Sequence, residues 1–200
     1  MRANRQHRRP TTAGARGAFT LLEILLVMGV MVVAIGLAWP AIAVIQGEYR
    51  LRQGGQLVQA KLAWARLHAV ETGHVYQFCF EPGGRKFIIL PRDQEANTAQ
   101  AGPGTRAPQK VGGSLPAENV HFDGTGVTTQ TLPPEWLAGM TGEGNFTTVS
   151  WSAPILFYPD GSASSATLQI VDKKSRTVTV SVRPLTGAVS VSKIQSGTSR

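Results

Sequence analysis

The chain has 200 residues, 42% hydrophobic and 16% charged, with a formal net charge of +8. That length holds one membrane segment and one domain of modest size, and a single cysteine, Cys79, excludes an intramolecular disulfide. The charge is uneven: Arg2, Arg5, Arg8, Arg9 and Arg16 precede the first apolar run with no acid among them, and without residues 1–18 fifteen basic side chains face twelve acidic ones, a net of +3.

A basic tail could bind nucleic acid. Ahead of an apolar run, however, basic residues also hold that end of a membrane segment in the cytoplasm, and this reading is favoured. From Ile24 to Ile45 no side chain is charged, and only Trp39 offers a polar edge. As a helix at about 1.5 Å per residue this run is about 33 Å long, enough to cross a hydrocarbon core of about 30 Å. Pro40 interrupts it; its ring presses on the carbonyl of Gly36, so a kink or loosened turn is expected there, with the helix resuming beyond. From Gln46 to Thr72 the pattern is amphipathic, with Leu51, Val58, Leu62, Ala65 and Ala69 on one face. Gly54-Gly55 weakens the middle of this half, and Gly73 is the expected C-terminal stop.

Beyond Gly73 the pattern changes to strands. The runs HVYQFCF and KFIIL flank EPGGR, where Gly83-Gly84 supplies the positive-φ positions of a hairpin turn. Residues 92–114 read as a long loop, NVHF as a short strand, and 124–148 as a second Gly/Thr-rich loop. PILFY, ATLQIV, TVTVSV and AVSV follow, separated by PDGS, DKKSR and PLTG turns; Val178, Val180 and Val182 share a face. The expected fold is α+β: a long N-terminal helix, transmembrane over 19–45 and amphipathic over 46–72, packed against a small antiparallel β domain over 73–200.

No sequence signature of catalysis stands out. G-x-S-x-G, H-E-x-x-H, the P-loop and paired CxxC are absent. His68, His74 and His121 lack metal-ligand spacing, and Asp123-Gly124 and Asp160-Gly161 read as turns, because neither continues as a calcium loop. Cys79, inside YQFCF, reads as a buried thiol. No catalytic residue, metal or cofactor is expected.

One charge remains to be explained. Glu23 stands near the start of the apolar run, and a charge at the bilayer centre costs about 2.5–3.5 kcal/mol on insertion scales. A basic tail, then GAFTLLE, then an apolar helix resembles the class III signal of type IV pilins and pseudopilins. In that family a prepilin peptidase cuts on the cytoplasmic face before a residue that is usually Phe and methylates the new amine. With Phe19 as the first mature residue, Glu23 is fifth and Pro40 twenty-second, both as the family has them. The resemblance therefore implies a cleaved leader over 1–18, processing at Gly17, Ala18 and Phe19, and N-methylation of Phe19. It departs at one place: the family prefers Gly before the cut, and here Ala18 stands there with Gly17 one position back. Cutting after Gly17 would make Glu23 sixth and Pro40 twenty-third. Within this resemblance Glu23 meets the N-terminal amine of a neighbouring subunit; the simpler role is capping the helix start.

The segments CFEPGGRKFII, LPAENVHF, ILFYPDGSAS and RPLTGAVSV are similar to the β domain of GspH-type minor pseudopilins and of FimT/FimU minor pilins. The resemblance implies a single-pass protein of the bacterial inner membrane with a periplasmic β domain. Its implied partners are the prepilin peptidase, major and other minor pseudopilins, the inner-membrane assembly platform and membrane lipid. The favoured function is that of a minor pseudopilin in type II secretion, with a minor pilin of a type IV pilus (adhesion or DNA uptake) as the alternative. Nucleic acid is disfavoured as a partner, although Lys173, Lys174, Arg176, Arg183, Lys193 and Arg200 are candidates for a basic patch. A secreted β domain is a third reading, with AIA at 41–43 as a signal-peptidase site; a membrane-tethered hydrolase, a fourth, lacks a catalytic constellation.

Overall fold

The computed structural model describes residues 20–93, 108–140 and 145–196, with the side chains of 38–45 outside the described set. Residues 1–19 lie outside it, and with them the expected leader and the processing residues Gly17, Ala18 and Phe19. The chain divides into two compact units, Met1–Ala43 and Val44–Arg200. Helix α1 runs from Leu21 to Thr72, 52 residues. Pro40 falls within this helix, and its side chain lies outside the described residues.

In the first unit the described large apolar side chains of α1, from Leu21 to Leu37, are exposed. Among the described residues no helix is long and apolar enough to cross a membrane.

The second unit holds the rest of α1 and the β structure. The strands are β1 (Tyr76–Phe80), β2 (Lys86–Pro91), β3 (Val111–Ser114), β4 (Val120–Phe122), β5 (Thr129–Gln130), β6 (Trp151–Ser152), β7 (Ile155–Phe157), β8 (Ala166–Asp172), β9 (Arg176–Val182), β10 (Val189–Val191) and β11 (Gln195–Ser196). A short helix α2 (Pro134–Leu137) lies between β5 and β6. One sheet has the order β3-β2-β1-β7. A second has the order β10-β9-β8-β4, with β11 also pairing β9, and β5-β6 form a small ribbon. These pairings are antiparallel. The fold is α+β, as the sequence indicates.

The expected helix face is the one that packs. Leu51, Val58, Leu62, Ala65 and Ala69 are all 0% exposed and share one core with Phe78, Phe87, Ile170 and Val180 from both large sheets. The two glycines expected to weaken α1 lie where the helix meets the strands. A Cβ on Gly54 would touch Leu115, Val120 and Ile170, and one on Gly55 would press on Val178 and Val191. Their missing side chains let the helix backbone settle against strands that carry branched residues. Gly73 ends the helix as expected, at φ 72°, its amide donating to the Ala69 carbonyl.

Two stretches expected as loops carry structure. Residues 92–114 include β3, whose Gly112 and Gly113 leave room for the Phe146 and Phe87 rings. Residues 124–148 include β5 and α2, and with Val149 and Trp151 they roof the outer face of the first sheet. Cys79, Ile88 and Leu90 point into that second core beside Leu132, Leu137 and Phe146. Both faces of β1 and β2 are therefore buried, in keeping with the apolar run FIIL and with YQFCF, where Gln77 alone is strongly polar.

Cys79 is 0% exposed, and burial pushes its thiol up to about 12, a hydrogen bond with Gln130 offsetting part of the rise. In the native full chain it is expected to resist thiol reagents until denaturant is added. Rapid labelling without denaturant would show that the roof over residues 124–149 opens freely.

Candidate functional site

The start of α1 is built from four residues. Thr20 precedes the helix and caps it: its side-chain oxygen accepts from the Glu23 amide at 3.2 Å, and its carbonyl accepts from the same amide at 3.0 Å. Thr-Leu-Leu-Glu is thus the T-x-x-E pattern of a capping box, and Glu23 occupies the position where an acid also favours the helix dipole. Beyond it the surface turns apolar, with Glu23 beside Ile24, Val27 and Met28 around a shallow depression.

The residue types that could carry chemistry are scattered. His68 is buried, stacked on Trp64 at 3.8 Å between ring centroids, with its Nδ1 3.2 Å from the Trp64 carbonyl. His74 faces Asp93 at 3.9 Å. His121 opens onto a depression of about 510 Å³ at the Gly83-Gly84 turn, where Arg85 and Lys86 alternate with Glu81 and Glu118. Glu81 is already engaged there, one carboxylate oxygen accepting from the amides of Arg85 and Lys86 at 3.2 Å each. Among the described residues no group of three His, Cys, Asp or Glu is placed to hold a metal ion. Asp123 and Asp160 each close their own turn: Asp123 accepts from the amide and hydroxyl of Thr125, Asp160 from those of Ser162. Those hydrogen bonds hold both carboxyls below the usual carboxylate range.

The basic candidates do not all join one patch, because Arg176 is buried. Arg176 turns inward. Its Nε and Nη2 donate to Asp172 Oδ2 at 2.8 and 2.6 Å, and its Nη1 lies 3.6 Å from Glu48 Oε1 on α1. Asp172 Oδ1 accepts from the amides of Lys174 and Arg176 at 2.9 and 3.0 Å. Ser175 completes this turn at φ 56°. The guanidinium also lies against Gly47, where a Cβ would collide with it. One arginine therefore ties the β8–β9 turn to the helix. Arg183 lies at the far end of β9, about 23 Å from Arg176 at about 3.3 Å per residue, and Arg200 lies outside the described residues.

A row that the sequence reading missed does line a groove. Glu48, Arg52, Gln56 and Gln59 follow one another along α1 and face Lys193 and Ile194 across about 560 Å³. Gln59 Nε2 donates to the Val189 carbonyl at 3.0 Å, which closes the groove at one end. The spacing of 4, 4 and 3 residues was the available signal.

The sequence model of the type II transport protein GspH matches residues 55–186, more than half of the chain. The chain belongs to the GspH family. The matched region starts at Gly55, in the helix-to-sheet contact, and ends at Thr186, in the turn before β10. Among solved structures, the minor pseudopilin EpsH from the Type 2 Secretion System of Vibrio cholerae aligns at 13% identity with a TM-score of 0.44, covering 72% of this chain and 97% of that one. No curated protein matches the sequence. The GspH match covers β1 to β9 and the end of α1; the FTLLE start and Pro40 lie ahead of it.

Proposed function

We propose that this GspH-family chain is a minor pseudopilin of a type II secretion system. A prepilin peptidase cuts between Ala18 and Phe19 on the cytoplasmic face and methylates Phe19. The segment 19–45 crosses the inner membrane once, and the β domain stands in the periplasm. There the subunit joins a filament of major and other minor pseudopilins on the inner-membrane assembly platform, and the filament drives export of folded proteins. Its role is structural, with no catalytic step assigned to the chain.

One observation carries this reading: the spacing from Phe19 to Glu23 and Pro40 stands on the same chain as a GspH match over residues 55–186. The exposed apolar surface of Leu21–Leu37 also supports it, because such a surface needs lipid or other helices around it. Mass spectrometry of the mature protein tests the reading. The expected N-terminus is N-methylated Phe19, and a mature chain starting at Val44 would instead establish cleavage after AIA and a free β domain.

A further inference from the structure

Five cations gather where the β domain begins. Arg50 and Arg52 are exposed on α1, five and seven residues beyond Ile45, where the apolar run ends. Arg52 shares the helix groove with Lys193 and Glu48. Arg176, through Glu48 and Gly47, pins the β8–β9 turn to the same stretch of helix, and that turn exposes Lys173 and Lys174. The acids of this region are already spent: Asp172 and Glu48 both hold Arg176. Among the described residues no acid pairs with Arg50, Arg52, Lys173, Lys174 or Lys193. The Arg176–Asp172–Glu48 group carries one net negative charge, so the cluster carries four positive charges. Tyr49, 62% exposed, stands among them, an aromatic of the kind enriched at membrane interfaces.

We propose that this basic collar is a docking surface for anionic phospholipid headgroups, which seats the base of the β domain on the membrane. The inference rests on the anchor reading of 19–45, because the anchor is what would bring residues 47–52 to headgroup level. Anionic headgroups attract basic residues close to the bilayer, and salt weakens the attraction. Duplex DNA fits the geometry less well. Arg183 lies about 23 Å from the Arg176 end of β9 and Arg176 is buried, so these two do not extend the cluster into a continuous track along β9.

The test uses the full chain reconstituted in vesicles of phosphatidylcholine alone, or of phosphatidylcholine with phosphatidylglycerol. Both samples are treated with a membrane-impermeant amine reagent and read by mass spectrometry. Lys173, Lys174 and Lys193 are expected to react more slowly with phosphatidylglycerol present, on the order of threefold, and to recover in high salt. Lys86 and Lys110, on the first sheet and the segment leading into it, should not change. Arg50→Gln with Arg52→Gln should shrink the protection at the three lysines. Flotation tests the anchor separately. A chain that floats with both vesicle types yet labels equally in them loses the collar and keeps the anchor. One that floats only with phosphatidylglycerol keeps the collar and loses the anchor, and one that floats with neither loses both. Protection of these lysines by a short DNA duplex in detergent, with none from phosphatidylglycerol, would overturn the lipid assignment.

Discussion

Arg176→Ala is expected to destabilise the β domain by about 3–5 kcal/mol, the cost of leaving a buried partner charge uncompensated. The Asp172 side chain is 1% exposed and that of Arg176 is 9% exposed. Removing the guanidinium strips Asp172 of its two side-chain donors and leaves it only the amides of Lys174 and residue 176. It also opens a space under Gly47 and frees Glu48, so the β8–β9 turn loses its tie to α1. A urea titration of the full chain in detergent, followed by near-ultraviolet circular dichroism, reads the loss as a lower midpoint. Asp172→Leu combined with Arg176→Met removes both charges and is expected to recover most of the stability. A fall of less than about 1 kcal/mol for Arg176→Ala would place the ion pair among those that solvent makes cheap.

The same pair sets a pH dependence. Burial alone would raise the Asp172 carboxyl, but hydrogen bonds from the Arg176 side chain and from the Arg176 and Lys174 amides outweigh it and hold the group below its ordinary value. A carboxyl depressed in the folded state contributes stability that is complete above its unfolded value, about 3.9. That contribution is lost as pH falls through this value and then through the lower folded one. The native chain should therefore lose this stabilisation below about pH 4, and Arg176→Ala, which has little of it, should show a flatter acid limb.

The amphipathic face of α1 was legible because helix periodicity alone selects Leu51, Val58, Leu62, Ala65 and Ala69. The packing role of Gly54 and Gly55 was not legible, for a physical reason. Glycine loosens an isolated helix and also permits close approach, and only the distance to Val178 and Val120 tells which applies. The roof over the first sheet escaped notice because Leu132, Leu137, Phe146 and Val149 follow no period. Yet its signal was present: two neighbouring strands with large apolar residues on both faces require a second cover. Arg176 counted as a surface cation by residue type, whereas Asp172 four positions earlier, across a tight turn, was the sign of an inward pair. The capping role of Thr20 was likewise written in Thr-Leu-Leu-Glu.

That cap sharpens the experiment on Glu23. Two roles compete for this carboxylate: closing the helix start, and pairing with the N-terminal amine of a neighbouring subunit during assembly. A capping box accepts Gln as well as Glu at this position. Glu23→Gln therefore keeps the cap and removes the charge, while Thr20→Ala weakens the cap and keeps the charge. If pairing is the role, Glu23→Gln and Glu23→Ala should both weaken crosslinks to the major pseudopilin and lower secretion, and Thr20→Ala should leave both largely intact. Membrane insertion of Glu23→Ala should be unchanged or slightly easier, since an acid has left the apolar segment. Cleavage should persist in all three variants, because Ala18 and Phe19 are untouched. Asp, one methylene shorter, should rescue poorly. Measuring type II cargo release and pilus-dependent motility in the same strains separates the two assembly systems: loss of release alone fits the secretion reading, and loss of motility alone fits a minor pilin. Normal crosslinking and release by Glu23→Gln together with a defect in Thr20→Ala would overturn the ion pair, because the charge would then be dispensable and the cap would not.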